Sequence, residues 1–104
     1  MVYLHITART VPGKTQEFHD FWSRTSLPMW EKYGAKHIGS WDTFIGDYWE
    51  VVRLFAFDDL AHLERYERFL AQDKEGQELV KELASYIVSI SRKILRPAAY
   101  SPLQ

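Results

Sequence analysis

The four histidines, at positions 5, 19, 37 and 62, are the side chains best suited to move a proton near neutral pH. No two of them sit i, i+4 on one helix, and none is backed by a carboxylate pattern of the metal-binding kind. No metal site is expected. The chain has no cysteine, so thiol nucleophiles, thiolate ligands and disulfides are excluded. Neither a Gly-rich phosphate loop nor a nucleophile elbow occurs.

His37 and Trp41 are four residues apart in an aromatic-rich stretch, and on a regular strand they would share a face. An imidazole beside an indole in a cleft is a candidate general base for an acidic C–H or phenolic O–H. The plainer alternative is a strand-end histidine that caps polar groups. Asp42 and Arg53 become diagonal neighbours if the stretch is a hairpin, with Ser40 opposite Arg53. They could orient a carboxylate or keto group, or form an ion pair that holds register. His5, Thr7 and Arg9 line one side of the first strand, a second polar row with His5 as an alternative base; for Arg9, contacts at a subunit edge are the plainer role. His19, Trp22, Ser26 and Trp30 follow one flank of the first helix. Trp22 is expected in the core, with His19 and Trp30 at a pocket mouth or on a solvated flank. His62 and Tyr66 fall on adjoining surface positions of a later helix.

The elements that must position these groups are legible in the hydrophobic pattern. Val2 to Thr10 alternates as a first strand and ends at Pro12-Gly13. A helix begins near Thr15, a candidate N-cap. Its stripe is Phe18, Phe21, Trp22, Thr25, Met29 and Tyr33. Pro28 implies a kink or short break, and Gly34 a stop. His37 to Phe57 reads as a hairpin turning at Gly46-Asp47, with Trp41 opposite Val52 and His37 opposite Ala56. Neither face of that hairpin is simply polar. Asp58 is a candidate N-cap for a helix carrying Leu60, Leu63, Tyr66, Glu67 and Leu70. Asp73 restarts a second helical piece, and Tyr86 to Leu95 is a fourth strand. The order βαββαβ gives an α+β, ferredoxin-like fold: a four-stranded antiparallel sheet with the helices on one face.

At 104 residues the chain makes one domain, residues 1–104. A net charge of −1 offers no electrostatic argument for nucleic acid or an anionic membrane. No apolar run reaches the length of a membrane span, and a cytoplasmic setting is the default. The aromatic content of 15%, with four Trp, suits a large apolar interface or pocket. Helices cover one side of the sheet, so the bulky groups on the other side imply a homodimer packed sheet on sheet.

Several segments resemble the NIPSNAP family of the dimeric α+β barrel superfamily. They are Val11-Pro12-Gly13-Lys14, Trp22, Pro28 with Glu31-Lys32-Tyr33-Gly34-Ala35, Ile38-Gly39-Ser40-Trp41 with Ile45-Gly46, and the run Glu50 to His62. The resemblance covers roughly Tyr3 to Asp73, and Arg53 stands where the family commonly has His. It implies the ferredoxin-like fold, the dimer and a ligand cleft between sheet and helices. It also implies kinship with cofactor-independent monooxygenases, isomerases, cyclases and haem-binding enzymes.

The leading expectation is a small apolar molecule bound in that cleft, with Trp41, Arg9, Trp22, Arg53 and Asp42 as ligand-binding residues and no cofactor. If there is catalysis, His37 or His5 is the base. A non-catalytic assembly module and a haem binder using one axial histidine are the alternatives.

Overall fold

The computed structural model describes Met1–Gln104. Its strands are β1 (Val2–Thr10), β2 (Lys36–Asp42), β3 (Glu50–Phe57) and β4 (Ile87–Leu95). They form one antiparallel sheet in the order β2-β3-β1-β4. Between β1 and β2 run α1 (Thr15–Phe21), a π-helical turn (Trp22–Ser26) and α2 (Leu27–Lys32); between β3 and β4 run α3 (Leu60–Gln72) and α4 (Lys74–Ala84). This is the expected α+β, ferredoxin-like arrangement.

Strand alternation divides the sheet into two faces. Leu4, Ile6 and Ala8 of β1 and Val51, Arg53, Phe55 and Phe57 of β3 are buried against the helices. Trp30 anchors this core. It stacks on Phe55 at 4.4 Å and on Tyr66 at 4.1 Å between ring centroids. The opposite face carries His5, Thr7, Val52, Leu54 and Trp41, with no helix over it. The Trp41 ring lies along its own strand above Gly39, where a Cβ would meet the indole at 2.6 Å.

The π turn changes which residues of the first helix are buried. The expected stripe through Thr25 and Met29 is replaced by Phe18, Trp22, Ser26 and Trp30, all buried, while Thr25 is exposed. In an unbroken α-helix each four-residue step overshoots by about 40°, which would carry Trp30 about 120° away from Phe18. The wider turn, marked by Leu27 N–H donating to the Trp22 carbonyl, absorbs that drift. It falls just before Pro28, where a break is expected, because Pro28 would otherwise clash with the preceding turn.

Other local expectations are corrected. The hairpin does not turn in two residues. Its strands stop at Asp42 and restart at Glu50, and residues 43–49 form a loop in which Gly46 takes φ +132°. Trp41 does face Val52, but an extra residue at Ile38 shifts the pairing, so His37 meets Phe55 rather than Ala56. Thr15 does not cap α1; its hydroxyl bonds that of Thr10 at 2.7 Å. Asp59, not Asp58, caps α3 by accepting from His62 N–H at 2.8 Å. Leu60 is exposed, whereas Phe69 and His62 are buried. Gly34 ends the first helical segment as expected, with φ +83°.

Candidate functional site

A cavity of about 520 Å³ opens between the sheet and the helices, a size typical of small-molecule sites. Ile6, Ala8 and Arg53 form its floor. Phe18, Trp22, Ser26 and Trp30 make one wall, Tyr66 and Leu70 of α3 another, and Leu79 and Leu83 of α4 close over them. Fourteen of the 18 lining residues are hydrophobic. The exposed members are Ala71 of α3, Val80 and Ala84 of α4, and Ile90 and Arg92 of β4, which puts the mouth between the helix pair and β4. There Arg92 pairs with Glu67 across the gap between β4 and α3.

Arg53 is the one cation in the floor, and only 3% of it is exposed. Its guanidinium lies 5.1 Å from the Phe18 ring centroid and 4.9 Å from that of Trp22. Nη1 donates to the Val52 carbonyl at 2.9 Å and Nη2 to His19 Nδ1 at 3.1 Å. A guanidinium has no acceptor, so His19 Nδ1 must accept, and its Nε2–H donates to Asp42 Oδ1 at 2.7 Å. Desolvation lowers the Arg53 pKa to about 10, against the opposing pull of Asp42. Burial, then the neighbouring Glu67 and Tyr33, raises the Tyr66 phenol well above its ordinary range, so it stays protonated.

Among the expected site residues, the structure brings together Arg53 and Trp22 in the cavity and joins Asp42 to Arg53 through His19. His37 and Trp41 do not share a face. The bulge at Ile38 turns His37 toward the helices, 5.9 Å from Trp22 and 5.3 Å from Phe55 by ring centroid, with Ser40 Oγ 2.7 Å from its Nε2. Trp41 stays on the open face. His5 pairs with Leu54 and Lys93 on that same open face. Arg9 is exposed and pairs with Asp47 of the hairpin loop. No histidine lines the cavity.

Three residues acquire roles that their spacing did not reveal. Trp30 and Tyr66 belong to the cavity wall rather than to solvated helix flanks, and so does Ser26. The signal was the four-residue repeat Phe18-Trp22-Ser26-Trp30, which makes sense only with a π turn. His62 is also buried. Its Nδ1 accepts from Asp58 N–H at 3.0 Å, so Nε2 carries the proton and lies 2.6 Å from the Tyr33 carbonyl oxygen. His62 thus ties the end of the first helical segment to the start of α3. No three His, Asp or Glu side chains gather to hold a metal ion.

A family model for NIPSNAP matches residues 3–102. The chain is also similar to an uncharacterised NIPSNAP domain protein from Burkholderia xenovorans: 28% identity, TM-score 0.86, covering 98% of this chain and 99% of that one. A NIPSNAP family protein from Agrobacterium tumefaciens is 25% identical, with a TM-score of 0.87 and coverage of 99% and 98%. A second protein from that organism, of the same family and of unknown function, shares the fold at 22% identity and a TM-score of 0.88, over 100% and 94% of the two chains. Among curated proteins, none matches the chain.

Proposed function

The chain belongs to the NIPSNAP family, and we propose that it binds a small, largely apolar molecule in the cavity between its sheet and its helices. The observation that carries this is the cavity itself: about 520 Å³, lined mostly by hydrophobic side chains and open at one edge. A fold alone implies no chemistry, so the reading rests on the site. A His-base enzyme receives less support, because His37 and His5 lie outside the cavity lining.

The reading extends to assembly as a homodimer. The face without helices carries Trp41, 51% exposed, beside half-buried Val52 and Leu54. A second copy laid on it would cover these groups.

The uncharged apolar dye N-phenyl-1-naphthylamine tests the ligand reading. Its fluorescence is expected to rise on mixing with the protein, and Leu83→Trp, which fills the cavity from α4, should abolish the rise while the far-ultraviolet spectrum is unchanged. No rise with the wild type, or one that survives the filled cavity, would overturn the reading.

A further inference from the structure

Three buried side-chain polar atoms have no hydrogen-bond partner anywhere in the molecule: Ser26 Oγ, Arg53 Nε and Tyr66 OH. All three residues lie in the wall of the same cavity. They come from three different elements, the π turn, β3 and α3, so no local feature of the chain groups them. Their exposures are 1%, 3% and 0%, to the cavity and to the outside together, so a ligand in the cavity meets these atoms only after a small side-chain shift in its wall. An unmet buried polar group is costly, and native proteins leave few of them. Three in one wall, with none elsewhere, is a pattern that a bound molecule would explain.

We propose that the ligand of this cavity is an apolar molecule carrying one oxygen acceptor, a carbonyl or a carboxylate, which receives hydrogen bonds from Ser26, Arg53 and Tyr66. The proposal rests on the ligand-binding reading above and deepens it. Each of the three groups has a proton to give, and Arg53 Nε can do nothing else. The Tyr66 phenol stays protonated, so it remains a donor. A cationic head is disfavoured by the guanidinium. Carbonyl and carboxylate share the acceptor chemistry and differ in charge. Asp42, reached through His19, already answers part of the Arg53 charge. The Trp22 and Phe18 rings pack on the guanidinium, and most of the remaining wall is hydrophobic and suits the apolar body.

Calorimetric titration of the whole protein with three probes of matched shape provides the test: 4-phenylbutan-2-one, 4-phenylbutanoate and n-butylbenzene. At least one oxygenated probe is expected to bind tenfold or more tightly than the hydrocarbon. Ser26→Ala and Tyr66→Phe should each narrow that preference several-fold while the hydrocarbon's affinity changes little. A preference for the acid over the ketone that Arg53→Met removes assigns a carboxylate; equal binding of the two assigns a carbonyl. If the hydrocarbon binds as tightly as both oxygenated probes, or if neither Ser26→Ala nor Tyr66→Phe alters the preference, the head-group assignment is wrong and the apolar-ligand reading survives. If none of the three binds while N-phenyl-1-naphthylamine does, the head-group assignment is wrong and the apolar-ligand reading stands; if the dye fails as well, both fall.

Discussion

Arg53 Nη2 donates to His19 Nδ1 at 3.1 Å although the two residues lie 34 positions apart in the chain. The contact joins the sheet to α1 and leads outward to Asp42 at the protein surface. It turns what would be an isolated buried charge into the inner end of a short polar chain. Even so, burial of the guanidinium remains a cost that the fold carries.

Replacing Arg53 with methionine, which keeps most of the volume, is therefore expected to leave the urea midpoint at neutral pH unchanged or higher. A loss above about 2 kcal/mol would show that the polar chain is a net stabiliser. The alkaline limb has a definite sign. The Arg53 pKa is lowered from 12.5 to about 10, so between those values the unfolded chain binds more protons than the folded one. In that window Arg53 makes stability rise with pH. Tyr66, raised in the folded state, acts in the opposite direction. Comparing wild type with Arg53→Met cancels the Tyr66 effect: the wild type should gain on the variant between about pH 9 and about pH 11. A flat difference would contradict the assigned burial.

Gly76→Ala is expected to destabilise, although alanine is favoured over glycine inside a helix by about 1 kcal/mol. A Cβ at Gly76 would stand 2.3 Å from the Phe69 carbonyl oxygen and 2.9 Å from Leu70 Cα, so α4 must move away from α3. The expected net loss is about 1–3 kcal/mol in urea unfolding. Because α3 and α4 both line the cavity, probe binding should weaken in parallel. A stabilised variant would mean that the two helices separate freely.

Analytical ultracentrifugation addresses the open face of the sheet. The wild type is expected at twice the chain mass of 12.3 kDa, and Leu54→Lys at a single copy with its helical spectrum intact. A single-copy wild type, or a Leu54→Lys protein that still pairs, would rule out assembly through this face.

Much of this architecture could be read from the hydrophobic pattern. The alternation of β1, the pairing of Gly39 to Asp42 with β3, and the helical breaks at Pro28 and Asp73 all appear in the structure. What escaped depends on single inserted residues. The extra residue at Ile38 turned His37 over, and the wide turn at Trp22–Ser26 brought Ser26 and Trp30 inside. Neither has a compositional mark, because one more residue in a strand or helix changes phase without changing residue type. The hairpin loop was misjudged because Gly46-Asp47 satisfies a tight turn locally. Instead Asp47 is spent on Arg9 and on the Glu50 backbone. Arg53, the one charge within the apolar run Val51 to Phe57, could be picked out as a site residue with Asp42, but the His19 bridge between them could not.

Counting along the first helical segment exposes a surplus. Eleven steps of an ordinary α-helix make just over three whole turns, yet Phe18 and Trp30 are separated by twelve. Removing one of the exposed residues Ser23, Arg24 or Thr25 would leave both aromatic anchors aligned in a regular helix, provided Pro28 were also exchanged for alanine. In such a shortened chain Ser26 would stand seven steps from Phe18, within about 20° of the same face, so a regular helix would keep Phe18, Ser26 and Trp30 turned toward the sheet and lose only the wide turn.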